Sequence, residues 1–212
     1  MVFVHPRPRG EGFNMAKTSD DRIAVLVPEE RIQQKVAELA RQISADFAGT
    51  DGLLVIGILK GSWVFLADLV RRMTVPVIID FMTVSSYGKS TKTSGVVKTV
   101  LDLRQPLQDK DVLVVEDILD SGLTLKYLLK NMRLRGPKSL KVCVLMDKPA
   151  RRKTDITPDY VGFEVPDRFV VGYGADYAER YRNLPYIGYV EETETEPRTA
   201  QTPGARGDEE QA

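Results

Sequence analysis

The sequence predicts an α/β domain built on a central, mainly parallel sheet flanked by helices, and three observations carry that expectation. Strand-sized apolar runs alternate with helix-forming segments through the middle of the chain, the order expected of strands joined by crossover helices. Residues 112–115 are apolar in a row, which suits a strand covered on both faces. That strand runs straight into Glu116 and Asp117 and then the small-residue turn Asp120-Ser121-Gly122. Ligands of such sheets bind beyond the strands' carboxyl ends, at topological switch points.

The elements follow in order. A helix is expected over residues 29–47, then a strand over 53–58. The turn Gly57-Ile58-Leu59-Lys60-Gly61-Ser62 ends that strand and precedes a helix over 63–72. Gly61 permits close backbone approach and Lys60 adds a cationic donor, so this turn is a candidate anion site. Strands are expected at 77–84 and 96–101, and the polar segment between them, with Ser86 and Tyr87, reads as a mobile hairpin tip. Polar residues 108–111 mark the start of the 112–115 strand. Ser121, Gly122 and Thr124 open the next helix, over 126–135, whose Tyr127, Leu128 and Leu134 repeat at helical spacing and which Gly136-Pro137 ends. A strand over 142–146 follows, leading into the basic cluster Lys148 to Arg152.

The chemistry of the 112–125 stretch is that of a site for a phosphorylated sugar. Backbone N–H groups at a helix start lack internal partners and sit at the positive end of the dipole, so they attract phosphate. The hydroxyls of Ser121 and Thr124 add donors. Carboxylates would repel that phosphate, so Glu116 and Asp117 are better suited to sugar hydroxyls or to magnesium, which takes oxygen ligands and keeps much of its water. Asp120 remains as a candidate base. The plainer alternative is a buried strand whose acidic end complements the next helix's dipole, with Ser121 as a cap.

With 212 residues, 42% of them hydrophobic, the chain can bury one good core. Thirty basic residues balance thirty acidic ones, so the charge does not point to a polyanion-binding protein. Cys143, the only cysteine, excludes disulfide frameworks and cysteine zinc sites and reads as a buried, inert thiol. The apolar stretches are too short for a membrane span and the N-terminus lacks a secretory pattern, which makes the cytoplasm the default location. Residues 1–18 and 192–212 read as a flexible extension and a disordered acidic tail around a domain at 19–191. Met15 is an alternative start, and Arg206-Gly207-Asp208 is given no function.

Val115-Glu116-Asp117-Ile118-Leu119-Asp120-Ser121-Gly122 closely resembles the motif with which type I phosphoribosyltransferases bind 5-phosphoribosyl pyrophosphate (PRPP), in the version of the bacterial hypoxanthine and hypoxanthine-guanine members. A second strong match runs from Phe163 to Pro185, and the resemblance covers roughly residues 21–191. It implies a type I phosphoribosyltransferase fold with a small hood subdomain, and transfer of a 5-phosphoribosyl group to N9 of a 6-oxopurine with magnesium as cofactor. Glu116, Asp117, Asp120, Ser121, Gly122, Leu123 and Thr124 would bind PRPP, with Asp120 also taking the N7 proton. Lys60, Gly61, Arg152 and Arg182 would hold pyrophosphate, the Leu59–Lys60 peptide often being cis in the family. Lys148, Phe169, Val170 and Asp176 would line the purine. Glu116, Asp117 and Asp176 would serve the metal, and Ser86 and Tyr87 the closing loop. Ser62 replaces a commoner glycine, and Ala175 stands where leucine is expected. A homodimer or homotetramer is the family expectation.

A competing reading is a regulator that keeps this fold and binds nucleic acid through the basic residues of 126–141 and 148–153. The balanced charge and the full set of catalytic matches weigh against it. A Walker-type hydrolase fails for want of a Gly-Lys-Ser or Gly-Lys-Thr loop.

Overall fold

The computed structural model describes residues 22–86 and 97–191. Six strands form the main sheet, in the order β4 (Val97–Leu101), β3 (Val77–Ser86), β2 (Leu53–Leu59), β5 (Asp111–Leu119), β6 (Ser139–Asp147) and β7 (Tyr160–Glu164). Every neighbouring pair is parallel except β3 and β4, which form an antiparallel hairpin. The mainly parallel sheet expected from the continuous apolar runs is therefore present.

Alternation along the strands sorts their side chains into two cores. Leu53, Val55, Leu113, Val115, Cys143 and Leu145 face helices α1 (Glu29–Asp46) and α2 (Trp63–Val70). Leu54, Ile56, Val112, Val114, Val142 and Val144 face α3 (Leu123–Arg133). Helix α1 buries Ile32, Val36, Leu39, Ala40 and Ile43, a stripe at the spacing of one helical face. Each fully buried side chain of this kind contributes about 1.5–3 kcal/mol from removing apolar surface from water. Cys143 is buried as expected, and burial pushes its thiol well above the ordinary range.

A second, antiparallel sheet joins β1 (Ile23–Val27), β9 (Ile187–Val190) and β8 (Val170–Val171). It corresponds to the small hood that the resemblance implies. These three strands and β7 were not anticipated. Among the shifted boundaries, two bear on the site: β5 continues to Leu119, so Glu116 and Asp117 lie on the strand and not beyond it, and α3 begins at Leu123. Phe169 precedes β8 and is 57% exposed. Tyr87, residues 1–18 and residues 192–212 lie outside the described residues. Among the described residues no helix is long and apolar enough to cross a membrane.

The order of the strands fixes where a ligand can sit. From β2 the chain moves to β3 on one side, while β5, on the other side of β2, leads on to β6 and β7. The carboxyl ends of β2 and β5 are thus a switch point, where the loops leaving the two strands part and open a crevice.

Candidate active site

A cleft of about 250 Å³ occupies that crevice, lined by Leu59 and Gly61 from the β2 end and by Glu116, Asp117, Asp120 and Gly122 from the β5 end, among others. Ser121 and Thr124 also line it. Gly122 caps α3 with φ of 78°, a conformation that favours glycine. The first-turn N–H groups that follow have no helical acceptors, and the Leu123 N–H lies 3.5 Å from Ser121 Oγ. Leu123 itself is 37% exposed and does not line the cleft.

The carboxylates at the end of β5, Glu116 and Asp117 on the strand and Asp120 just beyond it, are unusually placed. Glu116 Oε2 and Asp120 Oδ1 are buried without a hydrogen-bond partner among the described residues. Burial, reinforced by the Asp117 charge, holds the Glu116 carboxyl well above the usual carboxylate range. Burial likewise pushes Asp117 up to about 6, against the pull of the backbone N–H of Ile118 and the Arg182 charge. Such groups are held ready for hydroxyl donors or a cation, because an unpaired buried carboxylate is costly.

The β2 loop presses against this pair. The Leu59–Lys60 peptide is cis, as the resemblance implies. Gly61 abuts the Asp117 carboxylate on one side. On the other, a Cβ on Gly174 would come within 2.1 Å of the Gly61 carbonyl oxygen. Glycine at both positions brings the 173–182 segment onto the β2 loop. That segment supplies Arg182, whose Nη1 donates to Gly174 O at 2.9 Å and whose Nη2 pairs with Asp176 Oδ1 at 2.8 Å and Glu179 Oε2 at 3.3 Å. Lys60 Nζ reaches the same Glu179 carboxylate at 3.0 Å. Glu179 was not singled out from the sequence, yet it links Lys60 and Arg182, two of the three cations expected to hold pyrophosphate.

Toward the other end, Lys148 is 6% exposed and its Nζ donates to Arg168 O at 2.8 Å, while its backbone N–H donates to Leu119 O at 3.0 Å. One residue therefore joins the end of β5 to the backbone just before Phe169. The exposed ring of Phe169 meets Tyr177 edge-on, with centroids 5.1 Å apart. Tyr177 was also missed, although its aromatic ring beside Asp176 was a signal. Val170 and Ala175 are both buried in the core. Ser86 is the last residue of β3. Arg152 lies behind the Asp120–Thr124 turn, its guanidinium donating to Leu119 O, Asp120 O and Ile156 O at 3.2, 3.1 and 2.9 Å and pairing with Asp147.

Residues 26–178 match the model of the phosphoribosyl transferase domain. The chain belongs to that family. The span that marks it as a phosphoribosyltransferase takes in the whole cleft and stops short of Glu179 and Arg182. Among relatives, a hypoxanthine-guanine phosphoribosyltransferase of Bacillus subtilis is 54% identical over 166 residues, covering 78% of this chain and 92% of that protein. A hypoxanthine phosphoribosyltransferase of Salmonella typhimurium is 49% identical, over 79% of this chain and 95% of that one. A crystal structure of a hypoxanthine-guanine phosphoribosyltransferase from Bacillus anthracis superposes with a TM-score of 0.76 at 53% identity, covering 79% of this phosphoribosyltransferase and 98% of that chain.

Proposed function

We propose that the protein transfers the 5-phosphoribosyl group of PRPP to N9 of hypoxanthine, and of guanine, giving IMP or GMP and pyrophosphate in purine salvage. The observation that supports it most is the meeting, at one switch point, of a helix-start anion loop and two buried carboxyls that burial makes hold their protons tightly, with a buried lysine tied to the same loop.

The turn from Asp120 to Thr124 grips the 5′-phosphate, a remote anchor whose binding energy positions the anomeric carbon. Glu116 and Asp117 accept hydrogen bonds from the ribose hydroxyls. Bond breaking makes the sugar centre oxocarbenium-like and gathers negative charge on departing pyrophosphate. Lys60 and Arg182 stabilise that charge once they turn from Glu179 to the leaving group. Asp120, with one oxygen buried and unpartnered, takes the N7 proton as N9 bonds to the sugar. Lys148 donates to the purine 6-oxo group, which adenine's amino group cannot replace as an acceptor. Phe169 stacks on the base, Val170 reads its edge through the backbone, and a loop with Ser86 and Tyr87 closes over the substrates.

Magnesium fits this donor set as a partly hydrated ion. Among the described residues no three metal-ligating side chains form a cage, and magnesium is commonly held by one or two carboxylates together with substrate oxygens. Asp117, in a position that burial makes costly for a bare carboxylate, and Glu116 would hold the sugar-bound ion. Asp176, beside Arg182, would serve a second ion. Bound magnesium would supply charge that offsets the growing charge of pyrophosphate.

We further place the protein in the cytoplasm as a homodimer or homotetramer, with no nucleic-acid or membrane partner. Purified protein given PRPP, magnesium and hypoxanthine should release pyrophosphate and IMP in equal amounts. Pyrophosphate release without nucleotide, or PRPP binding without turnover, would refute the transferase reading in favour of a hydrolase or a sensor.

A further inference from the structure

We infer that Arg152 is a positioning residue for the 5′-phosphate loop, acting from behind it, and not a contact for pyrophosphate. Four consecutive carbonyls of that loop are each held by a donor. Leu119 O accepts from the Lys148 N–H at 3.0 Å and from Arg152 Nη2 at 3.2 Å. Asp120 O accepts from Arg152 Nε at 3.1 Å, Ser121 O from the Lys153 N–H at 2.9 Å, and Gly122 O from the Lys126 N–H at 2.9 Å. None of these donors belongs to a residue that lines the cleft.

In a trans peptide the C=O and the N–H of the same unit point in opposite directions. Carbonyls held on the far side therefore turn the N–H groups of Asp120, Ser121, Gly122 and Leu123 toward the cleft, as an oriented set of donors for an anion. Arg152 holds the second of these peptide units and shares the first with the Lys148 N–H. Its guanidinium is fixed in turn by Asp147 at the end of β6 and by Ile156 O at 2.9 Å. Four of its N–H groups are thus engaged by protein oxygens, out of five available on an arginine. The loop also packs tightly against this brace: a Cβ on Gly122 would meet Thr154 Oγ1 at 2.2 Å and Arg152 Cδ at 3.2 Å. Lysine cannot reproduce the arrangement, because its point charge lacks the planar fork that spans several acceptors.

The assignment rests on the phosphoribosyl-transfer reading, and its test separates the two halves of the PRPP site. Wild type, Arg152→Lys and Asp147→Asn would be titrated calorimetrically with ribose 5-phosphate and, separately, with magnesium pyrophosphate, alongside KM for PRPP. Arg152→Lys is expected to weaken ribose 5-phosphate and raise the PRPP KM by about tenfold, the effect of losing one or two hydrogen bonds from a charged donor. Pyrophosphate affinity should stay within about twofold, since no oriented donor on that side is lost. Asp147→Asn, which loosens the guanidinium without removing it, should shift ribose 5-phosphate in the same direction by a smaller factor and serves if the arginine variant does not fold. Loss of pyrophosphate affinity equal to or greater than that of ribose 5-phosphate would overturn the proposal, as would undiminished ribose 5-phosphate binding in either variant. If wild type bound neither ligand, the transfer reading itself would fall.

Discussion

Gly61 and Asp117 are locked together at the switch point: a Cβ added to Gly61 would lie 1.7 Å from Asp117 Oδ2 and 2.3 Å from its Cγ. The β2 loop therefore touches the second strand carboxylate with no room for a methyl group. Gly61→Ala must displace either the loop or Asp117. We expect kcat/KM for PRPP to fall about a hundredfold, the scale of a misplacement near 1 Å, with secondary structure retained. Steady-state kinetics with circular dichroism would check this, and wild-type efficiency would contradict the contact.

Asp117 also predicts a cost in stability. Its folded-state pKa of about 6 lies above the ordinary 3.8, so the folded protein holds this proton more tightly than the unfolded chain. The destabilisation is full above about pH 6 and disappears as the pH falls toward 4, with Glu116 shifted in the same direction. The rise corresponds to about 3 kcal/mol. Asp117→Asn should thus stabilise the unliganded protein at pH 7.5 by up to about that amount and lower its activity. Urea midpoints at several pH values would show the gain shrinking below pH 6; a gain that grows in acid would contradict it.

On the proposed mechanism, the buried unpartnered oxygen of Asp120 takes the N7 proton. Asp120→Asn should lower kcat by about a hundredfold or more while changing PRPP affinity far less. Equal losses in turnover and PRPP binding would count against its role as base.

Lys148 spends one of its donors on Arg168 O and keeps others for a ligand. Lys148→Met retains the stem and removes the charge. Efficiency with hypoxanthine should drop about ten- to a hundredfold, the range for a hydrogen bond to a charged group. Hypoxanthine binding measured by calorimetry should weaken with it; unchanged binding would remove Lys148 from the base site.

Much of this was legible before the structure. The buried strands β2, β5 and β6 announced themselves because burial on both faces leaves continuous apolar runs. The site motif was legible because phosphate loops need small residues in a fixed order. The strand β5 was cut short in the sequence reading because a charge ends an apolar run, although the backbone stays extended through Glu116 and Asp117. The strands β1, β8 and β9 are short, and β8 has only two residues, so they leave little period-two pattern. Glu179 sits with φ of 64° in a turn with Ala178 at 50°; nothing local in the sequence marks those conformations. The sequence match of Arg152 says nothing of which way its guanidinium turns, and that orientation decides its part in the site.

The most direct test of the central claim is turnover of purified protein, with PRPP and magnesium, on hypoxanthine, guanine, xanthine, adenine and uracil in parallel. The account predicts turnover on hypoxanthine and guanine and none on adenine or uracil, because Lys148 requires an acceptor at position 6 of a purine. Turnover on adenine comparable to that on hypoxanthine, or none on any base while PRPP still binds, would contradict it.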